Sequence, residues 1–473
     1  MKDYYPSMKF KILLVSAFWI LIFSVSCKGD DLDFGTPAKS LRFSRDTLKL
    51  DTVYHQVRSE TYAVKVYNEE NQDVVIPQIS LEAGADSPYR INIDGKAGTA
   101  FQNIPLRKKD SLFIFVEIAP KAVQKEALAQ DRILFQTASE KKAVTLLSVV
   151  QDAEFFIQSS TNANILTENT EWTDDKAKII YGKLTVAEGK SLNIKAGTKV
   201  YFTRNSSLWL SKGASLNIEG NLNKEVILRG DRNDTRYDTI PLNWKGIDAD
   251  EGATIVINYA KIFGGETGLS MKSATARISN TIIHSFQEYG IKAVASNITA
   301  SNLVMNSFGQ AAVGIFKGGN ADFKHCTLAN FWNMRTPLPA KVLYASNEWQ
   351  NPSGATETGP LSLSVKNCIL YGEKDDAVTI KAVQNQTAVY FFESSILKVG
   401  SSSGFAFENN PNVVNALKNV NPKFIKTTVS KLNLRVATDS PAKGKGNAAA
   451  AQAVPLDILN ITRTTSPTIG AYQ

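Results

Sequence analysis

The chain has 473 residues, 43% of them hydrophobic and 21% charged, with a formal net charge of +8 and three cysteines. A chain of that length holds more than one domain and buries large cores without covalent staples, and three cysteines make no disulfide framework. The positive excess is mild and lacks a basic run interleaved with aromatics, which excludes a dedicated nucleic-acid binder and leaves acidic glycans or lipid headgroups open as partners.

Residues 1–26 read as a leader and not as fold. Lys2, Lys9 and Lys11 form a positive start, and Ile12 to Val25 form an apolar run. That run is short for a spanning helix, which needs about 20 apolar residues. It ends in "SVSC", Ser24 to Cys27. The order of charge, apolar run, small residues and cysteine matches a bacterial lipobox, so Cys27 is the expected lipidated N-terminus. Acyl chains at about 0.8 kcal/mol per buried CH2 anchor such a chain firmly to the membrane. Residues 27–35 follow as a tether. Within it Lys28, Asp30 and Asp31 resemble the surface-export signal of Bacteroidota lipoproteins, which implies attachment to the cell outer membrane, facing outward. No later segment is long and apolar enough to span, and beyond the leader the charge is +6.

Residues 36–155 read as a β-sandwich. Tyr62, Val64 and Val66 alternate with Thr61, Ala63 and Lys65, the pattern of a half-buried strand. Val74 to Leu81, Tyr89 to Asp94, Leu112 to Ile118, Arg132 to Thr137 and Ala143 to Val150 continue the series, with helical periodicity confined to Lys121–Gln130. The succession of an Asn-rich turn, the strand "VVIPQISL" and the strand "DSLFIFVEIAP" resembles immunoglobulin-like domains of the ASPM/SPD-2/Hydin kind. The stretch has one histidine, His55, and no cysteine, and is expected to act as a spacer or docking module.

Residues 160–473 repeat. Short pieces such as "RISNTIIHS", "TASNLVMNS", "DFKHCTLAN" and "SVKNCILYG" recur, and alignment on Asn258, Asn280, Asn302, His325, Asn367 and Ser394 gives steps of 22, 22, 23, 42 and 27. A period near 22 built from short β runs without helices predicts a parallel β-helix, whose coils stack about 4.8 Å apart and bury one continuous column. The step of 42 fits two coils or one coil with a long loop, and Asn347–Pro360 supplies a loop. Cys326 and Cys368 hold equivalent places and are expected to be buried and inert.

Between Tyr181 and Gly230 apolar pairs alternate strictly, from Leu184 and Val186 to Val226 and Leu228, with glycines at 189, 197, 213 and 220 as tight corners. This stretch, with "WKGI" at Trp244 to Ile247, resembles the opening of bacterial right-handed β-helix proteins. "SPAKGKG" and "SPTIGAYQ" resemble their closing segment, with Asp457 and Arg463 in place of its usual motif. The resemblance implies a right-handed, single-stranded parallel β-helix, and hence an all-β chain. About 12 coils fit, a rod of roughly 55–60 Å.

Such folds host polysaccharide lyases and hydrolases, which need carboxylates converging in one groove. The acids of residues 270–370 are scattered, and His284 and His325 are expected not to meet. No catalytic set emerges, and no cofactor is expected. Asp248, Asp250 and Glu251 in "DADEG" are the weak candidates for Ca2+. Among the aromatics Phe286, Tyr289, Phe308, Phe316, Phe331, Trp332 and Trp349, the glycan-binding candidates are Tyr289, Trp332 and Trp349. The expected function is therefore non-catalytic: a lipid-anchored, surface-exposed scaffold or binding protein whose rod recognises a protein or glycan partner. A carbohydrate-active enzyme on the β-helix is the alternative.

Overall fold

The computed structural model describes residues 34–50, 53–54, 59–118, 126–232, 235–334, 337–384 and 386–473. Residues 1–26, expected as a leader, and Cys27, Lys28, Asp30, Asp31 and His55 lie outside them. The chain divides into two compact units, separated in sequence between Val149 and Val150 apart from a short excursion before Leu128.

The first unit is a β-sandwich. Among the described residues one sheet orders Arg42–Phe43, Tyr62–Tyr67, Ser111–Ile118, Tyr89–Ile93 and Lys96–Gly98; the other orders Thr47–Lys49, Lys141–Gln151, Glu126–Gln136, Val74–Leu81 and Ala100–Leu106. The alternation read from the sequence places Val64, Val66, Ile114 and Val116 in the core, fully buried. The same alternation turns Phe113 and Phe115 outward, 43% and 42% exposed, with their rings stacked. The helical pattern expected up to Gln130 is not a helix over its described part. Glu126–Gln130 is the first part of the strand that runs to Gln136, a central strand of its sheet between Lys141–Gln151 and Val74–Leu81, and tertiary pairing there overrides local helix propensity.

The second unit is a parallel β-helix. Three sheets run along it, eleven-, nine- and ten-stranded among the described residues, and each strand pairs in parallel with the strand one turn later. The twelve opening residues from Leu184 to Leu228 that alternate in sequence are all fully buried. Corner glycines 189, 197 and 213 have φ of 68°, 81° and 66°. Gly220 does not; a Cβ there would lie 1.9 Å from the Tyr259 carbonyl oxygen, so close backbone approach is what requires glycine. The step of 42 is one turn, since Gly319–Lys324 pairs directly with Leu361–Lys366 and Thr327–Asn330 with Ile369–Gly372. Its extra length leaves at corners, as residues 331–340 and as the hairpin Glu348–Gln350 with Thr356–Thr358. Because this turn is single and the chain leaves the stack after Lys418, the longest sheet spans ten turns among the described residues and not twelve, about 48 Å at 4.8 Å per turn.

Side chains repeat as columns inside the helix. Phe202, Trp244, Phe286 and Phe308 pack in one file across five turns at centroid spacings of 4.2, 6.1 and 6.4 Å, the middle contact edge-on, with Gly265 in the turn between Trp244 and Phe286. Cys326 and Cys368 follow Thr281 and Leu303 in another fully buried column. Burial and the adjoining Cys326 thiol push the Cys368 thiol well above its ordinary range.

At the preceding corner Asn280, Asn302, His325, Asn367 and Ser394 all have φ between 46° and 54°, the left-handed region that asparagine tolerates. Asn280 donates to Asn258 and Asn302 donates to Asn280, each at 2.8 Å. Asn258 itself pairs in register with Ser279, and Tyr259 takes the corner, so the first repeat is one residue shorter than the sequence alignment made it.

The chain after Lys418 returns over this corner as a strap. Asn302 donates to the Leu456 carbonyl and accepts from Arg463, Tyr259 donates to Asn460, and Gly470 N–H donates to the Asn367 carbonyl. Asp457 caps the strap's own turn by accepting from the backbone of Leu459, Ile461 and Gln473.

His325 is fully buried under this strap. Asn367 Nδ2 donates to His325 Nε2 at 2.9 Å, which places the ring proton on Nδ1, facing the Gly470 carbonyl at 3.3 Å. Burial and the Arg463 charge lower its pKa from 6.5 to about 3. The unfolded chain therefore takes up this proton first. The contribution of the neutral ring is complete above about pH 6.5 and is lost as pH falls toward 3. His325→Asn, which suits the left-handed corner, removes the titration. In urea titrations the parent should lose on the order of a few kcal/mol relative to this variant between pH 6.5 and 4. Parallel pH profiles would show that His325 is not the acid-sensitive element.

Candidate aromatic platform on the nine-stranded sheet

The outer face of the nine-stranded sheet carries the column Thr185, Trp209, Asp248, Ser270, Lys292, Gly314, Tyr344 and Thr379, one residue per turn. Around its later half four aromatic rings gather. Tyr289 begins the strand Tyr289–Val294, Phe316 ends Ala311–Phe316, Tyr344 sits within Lys341–Ser346, and Trp349 comes from the hairpin. Phe316 is the hub, 5.8 Å from Tyr289, 5.5 Å from Tyr344 and 5.1 Å from Trp349. All four rings are half-buried, so each keeps surface toward solvent. Lys292 Nζ lies 5.6 Å from the Tyr289 ring centre and 5.4 Å from that of Trp349. Burial, with Glu288 and Tyr344 nearby, pushes the Tyr289 hydroxyl up to about 12, so it stays protonated and able to donate.

Gly314 shapes this surface. A Cβ there would lie 2.8 Å from the Tyr289 ring and 2.9 Å from Phe316, so the missing side chain is the space the two rings occupy. The hairpin that delivers Trp349 is clamped at its base. Fully buried Asn347 accepts from Val383 N–H at 2.9 Å and donates to the Gln386 carbonyl at 3.1 Å. Two ion pairs at 2.7 Å hold its strands, Lys317 with Glu357 and Lys381 with Glu348. Lys317 and Asn351 lower the Glu357 carboxyl below its ordinary range.

The structure sorts the sequence candidates. Tyr289 and Trp349 meet here with Phe316. Trp332 does not: it is 8% exposed and presents no free face, because residues after Asn330 fold back onto the helix. Phe286 and Phe308 are interior, and Phe331 packs on Phe424 of the strap. Tyr344 was missed; its strand shows no local signal that sets its ring beside Phe316. His284 stacks on Phe263 at 4.8 Å, in a different column from His325.

The acids are engaged singly. The Trp209 indole donates to Asp250 at 2.8 Å, Glu251 faces Lys212, and Asp248 is raised by burial and by Asp250 and Glu266, with Ser270 opposing. Glu266 and Glu288 stand on successive turns, Glu266 paired with Lys245 and Glu288 accepting from Thr267. Among the described residues no group of three His, Cys, Asp or Glu side chains gathers as a metal site.

No protein-family model matches the chain, and no curated protein matches its sequence. Among solved structures it is similar to a family 123 glycoside hydrolase from Clostridium perfringens, at 8% identity and a TM-score of 0.17 over 23% of this chain and 26% of that one. It is similar to the Vibrio cholerae VesB protease, at 8% and 0.17 over 24% and 32%, and to the E. coli chaperone DraB, at 10% and 0.17 over 24% and 55%. The chain thus spans about a quarter of the first of these, and likenesses this slight carry no conclusion about fold or function.

Asn347→Ala removes the clamp's side-chain bonds, at a cost of about 1–3 kcal/mol. Amide exchange should accelerate in residues 348–358 while the turns on either side stay protected. Unchanged exchange in the hairpin would mean that the two ion pairs alone hold it.

Proposed function

We propose that this protein is a non-catalytic glycan-binding lipoprotein of the cell envelope, its ligand resting on the aromatic platform of the β-helix. One observation carries the reading: four half-buried rings with a lysine among them, fixed on a flat outer sheet face. Flat aromatic surfaces take the C–H faces of pyranose rings, and their polar rims hydrogen-bond the hydroxyls. A polymer suits an open face better than a small molecule does, since a small molecule gains affinity from enclosure.

The setting in the same proposal is a Bacteroidota outer membrane. The lipobox order before Cys27 supports lipidation, and Lys28, Asp30 and Asp31 support export to the outer surface. The sandwich then acts as an immunoglobulin-like spacer. The carbohydrate-active enzyme is the second reading, favoured by Glu266 and Glu288 standing one turn apart.

A glycan array with the purified full chain tests the platform. Tyr344→Ala and Trp349→Ala should each weaken binding about tenfold, close to 1.4 kcal/mol, without changing the thermal midpoint by more than a few degrees. Bound glycans should be recovered intact; new reducing ends, abolished by Glu288→Gln, would favour the enzyme. Protease shaving of intact cells should digest the β-helix, and protection until lysis would overturn surface display.

A further inference from the structure

Most lysines on the nine-stranded face are neutralised. Lys245 pairs with Glu266, Lys317 with Glu357 at 2.7 Å, Lys341 with Asp376 at 2.5 Å and Lys381 with Glu348 at 2.7 Å. Lys292 has no such ion pair among the described residues and stands beside the rings, whereas Lys272, one turn earlier, acts on Glu357. Lys292 in particular is pressed between Tyr289 and Trp349. Its in-register neighbours are Ser270 and Gly314, neither of which bears a charge.

Two consequences follow. A lysine whose ammonium already sits by two rings has less rotamer freedom to lose when an anion engages it, so a ligand anion gains more from it than from a freely moving lysine. A half-buried ammonium is also less screened than an exposed one, which raises its Coulomb attraction for an anion beside the rings. A neutral sugar gains only a hydrogen bond from the same group.

We propose that the platform selects an anionic glycan, one whose carboxylate or sulfate group meets Lys292 while adjoining sugar faces rest on Trp349 and Tyr344. This rests on the glycan-binding reading above and adds the class of ligand.

The test compares three oligosaccharides of matched length on the purified full chain by calorimetry: an oligogalacturonide, a sulfated galactan oligomer and a neutral β-glucan oligomer. At least one anionic oligomer should bind about tenfold or more tighter than the neutral one, and that advantage should shrink as salt rises from about 0.05 to 0.5 M. Lys292→Met keeps an apolar stem beside the rings and should remove the advantage, weakening anionic binding about tenfold or more and neutral binding, which loses only a hydrogen bond, much less. Lys292→Glu should abolish anionic binding, with tryptophan emission and the unfolding midpoint reporting that both variants fold. Which anionic oligomer responds tells carboxylate from sulfate. Equal binding of all three, insensitive to Lys292→Met, would overturn the anionic inference and leave the glycan platform standing. Binding of none would overturn both.

Discussion

Everything in the β-helix depends on in-register parallel pairing of each turn with the next. One turn adds about 4.8 Å, and a side chain at a given position then lies over its counterpart in the turn before. Residue choice is therefore made by columns and not by single sites. An apolar column such as Phe202–Trp244–Phe286–Phe308 packs against itself for its whole length. A polar column survives burial only if each member bonds the next, as Asn258, Asn280 and Asn302 do. The same rule confines insertions to corners. The turn of 42 residues keeps its strand pairings intact and places the added chain outside.

The strap follows from the ladder. An amide column at a corner leaves hydrogen-bonding capacity at its outer edge, and residues 447–470 use it: Asn447 with Asn367, Leu456 and Arg463 with Asn302, Gly470 with His325 and Asn367. These buried polar bonds set which turn each part of the strap meets more than they add net stability, since each replaces a bond to water. Arg463 marks the extreme. It is 7% exposed, makes one side-chain bond through Nη2, and burial lowers its pKa to about 10.

Much of this was legible because β-helices write their geometry as period and alternation. The buried pairs from Leu184 to Leu228, the corner asparagines and the inward cysteines all followed from spacing alone. The failures have physical causes. Gly220 reads as a tight corner like the other three glycines, when the close Tyr259 carbonyl is what excludes a side chain. The Asn258 repeat slipped by one, because its amide joins the ladder from the position beside the corner. Lys121–Gln130 carries helix-favouring residues, but its described part pairs as a strand. Trp332 and Trp349 both lie in insertions, and sequence gave no means to tell which insertion folds inward. Tyr344 reaches the platform only through the register of its strand, fixed by pairing across a turn of unusual length.

The platform joins two features that the fold keeps apart elsewhere. Regular turns supply a rigid floor, where Gly314 leaves room for Tyr289 to lie across the sheet. The irregular hairpin supplies Trp349, a ring that the stacked strands have no position to present. A rigid floor lowers the ordering cost of binding, and the clamp at Asn347 extends that rigidity into the hairpin. A binding surface of this kind needs no cleft. It needs rings that are already oriented when the ligand arrives, and a column architecture orients them through the backbone pairing that holds the fold together.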